Sequence, residues 1–229
     1  MSKIPLILVP GLLCDKEVWA KQINSLRDIA DIVVADLSKA TTPEAMVDAV
    51  FSVAPSERFC LAGHSMGAWI AAEVAVRHPE RVTKLCIIST SVAADTNVKA
   101  AHRHELINQV SQGQIESVID QLVDSFIFNE TIRPSVKRIL TRNAPTFINQ
   151  ESAMLLRRNN LPLLKIIKCP TLIIHAENDK IFSLEDAKAI QTNIPHAKIE
   201  IVKDSGHMVI MEKPDIVSEL MRVWLIQKL

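Results

Sequence analysis

The chain has 229 residues, of which 48% are hydrophobic, and its 26 basic residues balance its 26 acidic residues. A chain of this length and composition can bury one substantial core. The balanced charge, without a basic run interleaved with aromatic residues, argues against a nucleic-acid partner, and no apolar stretch reaches the ~18 residues that a membrane span requires.

Six apolar runs have the character of buried strands, and helix-like segments separate them. The runs lie at residues 4–9, 31–36, 58–62, 83–89, 171–175 and 198–203. This alternation predicts an α/β fold with a six-stranded, mostly parallel sheet flanked by helices. Right-handed crossovers predict the strand order 2-1-3-4-5-6, with the loops that follow the strands meeting at the carboxyl edge of the sheet.

The first strand runs into the loop Pro10-Gly11-Leu12-Leu13. Gly11 lets the backbone turn, and we expect the backbone N–H of Leu12 to face the site at the sheet edge. A backbone N–H in such a loop is one of the two donors that stabilise an oxyanion in acyl-transfer chemistry.

The third strand leads into Gly63-His64-Ser65-Met66-Gly67, and an alanine-rich helical segment follows. This is the pattern G-x-S-x-G between a strand and a helix. The glycines remove side chains that would collide with the neighbouring strand and helix. The pattern predicts that Ser65 is a nucleophile and that the Met66 N–H is the second oxyanion donor.

Between residues 91 and 160 the alternation stops and a helical period takes over. One apolar stripe consists of Ile115, Val118, Ile119, Leu122, Val123 and Phe126. We therefore predict a helical cap at residues 91–160, inserted after the fourth strand and not folding independently. The core is predicted at residues 1–90 and 161–229.

The last part of the predicted cap, residues 131–160, contains six basic residues and one acidic residue. Two interpretations remain open. In the first, these side chains attract an anionic substrate, such as a dicarboxylate ester or a phosphopantetheine-bearing thioester. In the second, they cover the outer faces of helices.

The fifth and sixth strands are each followed by a candidate partner for Ser65. Asp179 follows the fifth strand and His207 follows the sixth. A serine hydroxyl needs a histidine base and a carboxylate that orients it. The order Ser65, Asp179, His207 is that of the α/β-hydrolase triad, whereas Glu177 is expected to point away from the site.

These motifs resemble the α/β-hydrolase superfamily, and the chain is most similar to its small bacterial esterase and thioesterase-like members. The resemblance extends over nearly all of the chain and implies that the inserted helices cover the nucleophile. The chain departs from the common pattern at two positions. Pro10 stands where many members have histidine, and Ala176 stands where many have glycine.

We therefore expect a serine hydrolase that cleaves a small carboxylic ester or thioester through an acyl-enzyme. Leu13, Phe182 and Met208 are predicted to line the substrate pocket. Two alternatives remain: a lyase in which the triad deprotonates the substrate, and a ligand sensor whose slow hydrolysis matters less than a movement of the cap.

The four cysteines are scattered, without Cys-x-x-Cys spacing, which predicts a reduced, cytoplasmic protein. His102 and His104 are the only close histidine pair, and their spacing points the two rings apart on a helix. The sequence therefore predicts neither a metal site nor a cofactor.

Overall fold

The computed structural model describes residues 3–55 and 57–227. Its centre is a sheet in which every pair of neighbouring strands is parallel. The strands are β1 (Ile4–Val9), β2 (Ala30–Val34), β3 (Phe59–His64), β4 (Val82–Ile88), β5 (Thr171–Ala176) and β6 (Lys198–Val202). Their order is β2-β1-β3-β4-β5-β6. The predicted fold class and strand order are confirmed.

The burial of each strand follows from its place in the sheet. All six residues of β3 and of β5 are buried, because a central strand of a parallel sheet is covered on both faces. The edge strands β2 and β6 are only partly buried. Continuous apolar runs in the sequence therefore correspond to the interior strands that position the site.

The described residues form ten α-helices. They are α1 (Ala20–Leu26), α2 (Pro43–Ser52), α3 (Met66–Arg77), α4 (Asn97–Ser111), α5 (Ile115–Phe126), α6 (Arg133–Asn143), α7 (Phe147–Leu155), α8 (Leu184–Asn193), α9 (Val209–Glu212) and α10 (Pro214–Ile226). Within these described ranges, every helix is too short or too polar to span a bilayer.

Local sequence signals begin several of these helices. Thr42 caps α2 by accepting a hydrogen bond from the Ala45 N–H, and Pro43 occupies the first helical position. Ser183 and Asp186 form a reciprocal capping box at the start of α8. Helix α1 packs against α10, and α2 packs against α3. Right-handed crossovers place these two helix pairs on opposite faces of the sheet.

Helices α4 to α7 all lie between β4 and β5 in the chain. The apolar stripe predicted for this segment lies on α5, where five of its members are buried and Ile115 is partly buried. Helix α5 packs against both α4 and α6, and α4 packs against α7. These four helices therefore form one packed layer, whose relation to the site is described below.

Candidate active site

Ser65 lies at the turn between β3 and α3, and its backbone is in an unusual conformation, with φ of 55° and ψ of −122°. A Cβ on Gly63 would lie 2.2 Å from the Gly67 carbonyl oxygen, and a Cβ on Gly67 would lie 2.2 Å from the Val9 carbonyl oxygen. Neither position accepts a side chain. The two glycines thus permit the sharp turn that holds Ser65 at the carboxyl edge of the sheet.

A chain of hydrogen bonds connects Ser65 to His207 and Asp179. The Ser65 Oγ lies 2.8 Å from His207 Nε2. The other ring nitrogen, Nδ1, lies 2.9 Å from Asp179 Oδ2. The side chains of His207 and Asp179 are 1% and 0% exposed. The three residues predicted at separate strand ends are therefore brought together in one buried cluster.

The carboxylate of Asp179 is held by backbone donors as well as by the imidazole. Its Oδ1 accepts hydrogen bonds from the Ile181 and Phe182 N–H groups, at 2.9 and 3.1 Å. Burial opposes ionisation of Asp179, but the His207 charge and these hydrogen bonds outweigh it, so the pKa of the carboxyl lies well below its usual range. Asp179 is therefore ionised at neutral pH. By contrast, the Glu177 carboxylate accepts from the Asp204 N–H instead of contacting His207.

Glu212 stabilises the loop that carries His207, a role that no local sequence pattern indicates. Its Oε2 accepts a 2.6 Å hydrogen bond from the Gly206 N–H. Its Oε1 accepts from the Phe128 and Asn129 N–H groups. Because these partners come from a segment more than eighty positions earlier, only the folded chain identifies Glu212 as a clamp between the His207 loop and the end of α5.

His64 precedes the nucleophile in the sequence, but its side chain packs under the turn and contacts the His207 loop. Its Nε2 is 2.8 Å from the His207 carbonyl oxygen. Burial, together with the nearby His207 charge, lowers the pKa of His64 to about 3. His64 is therefore neutral, and the contact with a carbonyl oxygen requires its Nε2 to carry the proton. This side chain supports the His207 loop and does not contact the Ser65 hydroxyl.

The loop after β1 lies directly against the nucleophile. A Cβ on Gly11 would lie 3.2 Å from the Ser65 Cβ. Among the described residues, the backbone hydrogen bonds include none donated by the Leu12 or Met66 N–H. Both donors predicted for an oxyanion hole are thus unpaired, which binding of a substrate oxygen requires.

Gln150 anchors this loop from helix α7. The Leu13 backbone has a φ of 53°, and its N–H donates a 2.9 Å hydrogen bond to the Gln150 Oε1 across 137 positions. Asp15, two residues later, accepts a 2.8 Å hydrogen bond from the Asn143 side chain at the end of α6. The loop that begins with Pro10 is therefore tied to the helices between β4 and β5.

A cavity of about 320 Å³ opens beside Ser65. Phe182 lines it, as predicted for the pocket. Leu13 and Met208 do not, because their side chains are 0% and 1% exposed and belong to the core. Leu106, Leu122 and Met154, which the sequence did not suggest, supply apolar wall from helices α4, α5 and α7.

The basic residues at 131–160 that were candidates for contacting substrate are engaged elsewhere. Arg138 and Arg142 pair with Glu17, Arg142 also pairs with Asp15, and Arg157 pairs with Asp95. Further pairs are Lys137 with Asp120 and Arg133 with Asp124. The acidic partners lie outside this stretch of sequence. The excess of positive charge at residues 131–160 is therefore balanced by carboxylates that the folded chain brings next to it. Arg158 does not line the cavity beside Ser65 either.

The described residues contain no group of three or more His, Cys, Asp or Glu side chains arranged to hold a metal ion. The chemistry that the arrangement around Ser65 supports is that of a serine nucleophile with a histidine base. An all-parallel sheet in this strand order, with a strained serine turn after β3, defines the class of α/β-hydrolases.

The family model Hydrolase_4, described as serine aminopeptidase, S33, matches residues 30–214. Because the match covers most of the chain, the protein belongs to this family of hydrolases within the α/β-hydrolase superfamily. The predicted superfamily is confirmed.

Related proteins agree with this assignment. The uncharacterized hydrolase YugF of Bacillus subtilis (strain 168) is 23% identical over 241 residues, covering 93% of this chain and 87% of YugF. The carboxylesterase YbfK of the same organism is 24% identical over 235 residues, covering 93% of this chain and 77% of YbfK. A solved structure of a thermophilic esterase from Thermogutta terrifontis matches with a TM-score of 0.86 at 22% identity, covering 98% of this chain and 90% of that one. The structural match shows the shared fold.

Proposed function

We propose that this hydrolase cleaves small carboxylic esters or thioesters through an acyl-enzyme on Ser65. The observation that carries the proposal is the hydrogen-bonded chain from Ser65 through His207 to Asp179, with distances of 2.8 and 2.9 Å. The name of the relative YbfK, a carboxylesterase, supports the ester class.

In the proposed reaction the Ser65 Oγ attacks the substrate carbonyl while His207 Nε2 takes the hydroxyl proton. Asp179 keeps the proton of the neutral imidazole on Nδ1 and stabilises the imidazolium that forms. The Leu12 and Met66 N–H groups bind the oxyanion, and each such donor contributes about 3 kcal/mol. His207 then protonates the leaving group, and a water molecule activated by the same imidazole releases the acid.

We further propose that residues 91–160 act as a cap over this site. Support comes from the cavity wall, to which helices α4, α5 and α7 contribute side chains next to Ser65. The hydrogen bonds of Gln150 and Asn143 to the loop after β1 support a cap that does not fold independently of the core. The corresponding core, at residues 1–90 and 161–229, includes the chain ends 1–2 and 228–229, which lie outside the described residues.

A substrate panel tests this proposal. p-Nitrophenyl esters of graded chain length, acyl-CoA thioesters and aminoacyl anilides should be compared at neutral pH, the anilides because the family description names an aminopeptidase. We expect esters or thioesters to turn over at about 1 s⁻¹ or faster, with a substrate-derived acyl group on Ser65 detectable by mass spectrometry after rapid quenching.

The panel also separates the two alternatives. A lyase would convert its substrate without any acyl group appearing on Ser65. A ligand sensor would hydrolyse every ester at rates far below ~1 s⁻¹. Faster cleavage of anilides than of esters would overturn the proposed substrate class.

The anchoring of the oxyanion loop by Gln150 leads to a separate prediction. In the variant Gln150→Met the Leu13 N–H loses its acceptor while the side-chain volume is nearly kept. Because a displaced oxyanion donor loses much of its effect, kcat is expected to fall about tenfold or more. KM for a small ester should change less than kcat.

The matched variant Gln150→Glu retains an oxygen acceptor and should restore most of the rate. Affinity for a boronic acid inhibitor, which mimics the tetrahedral intermediate, should fall in parallel with kcat/KM in Gln150→Met. The thermal midpoint of both variants should be measured as a check on stability. An unchanged kcat in Gln150→Met would show that the loop after β1 holds its position without this hydrogen bond.

A further inference from the structure

The cavity beside Ser65 combines an apolar wall with cationic side chains. Lys99, Arg103 and Lys180 line it together with Leu106, Leu122 and Met154. Among its described lining residues the acidic side chain is Glu151. The balance of charge in the cavity therefore depends on whether Glu151 is already paired.

Glu151 belongs to a buried ion network that is neutral as a whole. Arg103 Nη1 lies 2.6 Å from Glu151 Oε2, and Arg103 Nε lies 2.6 Å from Asp95 Oδ2. Asp95 also pairs with Arg157. Two carboxylates thus balance two guanidinium groups. Because Glu151 is already paired with Arg103, it does not offset the positive charge of the two cavity lysines, Lys99 and Lys180.

Lys99 is one of two cavity lysines, with Lys180, that this network does not engage. None of the salt bridges among the described residues involves Lys99. Its Nζ instead lies 5.3 Å from the centroid of the Phe182 ring, at a distance where a cation is attracted to an aromatic face. Lys180 is exposed and donates to the Asp124 carbonyl oxygen.

Phe182 links this cation to the reacting groups. The Phe182 ring centroid is 5.7 Å from that of His207, so a single aromatic ring separates the imidazole from the Lys99 ammonium. A substrate with its carbonyl at Ser65 and an apolar segment along the wall would bring a distal group next to Lys99. A negatively charged distal group would gain an ion pair in a partly desolvated cavity.

We propose that this cavity selects esters that carry a second, ionised carboxylate, and that Lys99 is its main specificity-determining contact. The inference rests on the proposed ester hydrolysis, whose substrate class it narrows to half-esters of dicarboxylic acids. Arg103 lines the same cavity, and its Nη2 donates no hydrogen bond to the described residues, so it adds a second donor for the carboxylate.

The test compares each half-ester with its carboxamide, which has the same size and no charge. Monoethyl esters of succinic, adipic and suberic acids should be assayed beside the matching ethyl succinamate, adipamate and suberamate. We expect kcat/KM for at least one chain length to favour the carboxylate by about tenfold or more at low salt. The preference should shrink towards one near 1 M salt, where the Debye length is about 3 Å.

Variants assign the preference to Lys99. Lys99→Gln should reduce the ratio of carboxylate to carboxamide kcat/KM to about twofold or less, because the ion pair is lost, and Lys99→Arg should retain most of it. The matched control is Lys137→Gln, which removes a lysine of helix α6 that pairs with Asp120 and does not line the cavity. We expect this control to keep the wild-type ratio. Arg103 is unsuitable for such a test because its removal would leave the buried Glu151 carboxylate without its ion-pair partner and would take one of two partners from Asp95.

The outcomes separate this inference from the proposed function. Hydrolysis of both ester types at equal kcat/KM, at low salt and at every chain length, would overturn the carboxylate subsite and leave ester hydrolysis standing. If neither ester is hydrolysed, the proposed function fails for these substrates. The subsite is then tested by binding: the Ser65→Ala protein is titrated with the same ester and carboxamide pairs, and their Kd values are compared. Equal Kd values for carboxylate and carboxamide would then overturn the subsite as well.

Discussion

Replacement of Ser65 by alanine is expected to lower kcat by roughly 10³-fold or more, with the remaining rate due to the oxyanion donors and substrate binding. The change removes only the Oγ, which lies 2.8 Å from His207 Nε2. Alanine keeps the Cβ and has the same steric cost as serine in this backbone conformation, so the turn between the two glycines should persist. The measurement is steady-state hydrolysis of the best ester of the panel, together with mass spectrometry of the quenched enzyme.

Ser89 provides the matched control for this variant. It follows β4 at the same edge of the sheet, is 1% exposed and has a φ of 47°. Its Oγ has no hydrogen-bond partner among the described residues. Ser89→Ala therefore also removes one hydroxyl from a buried, strained position, and we expect it to retain most of the activity. If Ser65→Ala kept more than about a tenth of the activity, another nucleophile would have to be sought.

The second large effect is expected for Asp179→Asn, at about 10⁴-fold in kcat. The reason lies in the two backbone donors to Oδ1, from Ile181 and Phe182. They require an oxygen at that position, so the asparagine amide group would be oriented with its NH₂ towards His207. The His207 Nδ1 must then accept a hydrogen bond, and the ring proton moves to Nε2. An imidazole in that tautomer cannot take the proton from Ser65.

Glu177→Gln is the control for the carboxylate. Glu177 is exposed and accepts a 3.1 Å hydrogen bond from the Asp204 N–H, which a glutamine oxygen can also accept. We expect this variant to stay within a few-fold of the wild-type rate. Both variants should be compared by kcat and by circular dichroism. The opposite ranking of the two variants would mean that Glu177, and not Asp179, serves the histidine.

Much of the fold follows from short-range patterns in the sequence. The runs predicted as strands differ from the observed ones by at most two residues at any end, because interior parallel strands need continuous apolar segments. The strand order then follows from right-handed crossovers. The motif from Gly63 to Gly67 likewise predicts the serine turn from sequence alone, since the requirement for small residues on both sides of Ser65 is local to the turn.

The contacts that complete the site depend on residues far apart in the chain. Gln150 reaches Leu13 from helix α7, and Glu212 reaches the Phe128 and Asn129 backbone. A buried glutamine or glutamate has no local pattern that distinguishes it from a solvated one. Its partners exist only after the helices have packed, so sequence periodicity cannot identify them.

The sequence by itself determined the α/β architecture, the strained serine turn, and the order in which Ser65, Asp179 and His207 follow their strands. The tertiary structure alone decided which charges face the cavity. The basic excess at residues 131–160 is paired with acids from other segments, including Asp15 and Glu17, while Lys99 of helix α4 lines the cavity. The physical reason is that an electrostatic field depends on distances in space, and neighbours in sequence do not define those distances.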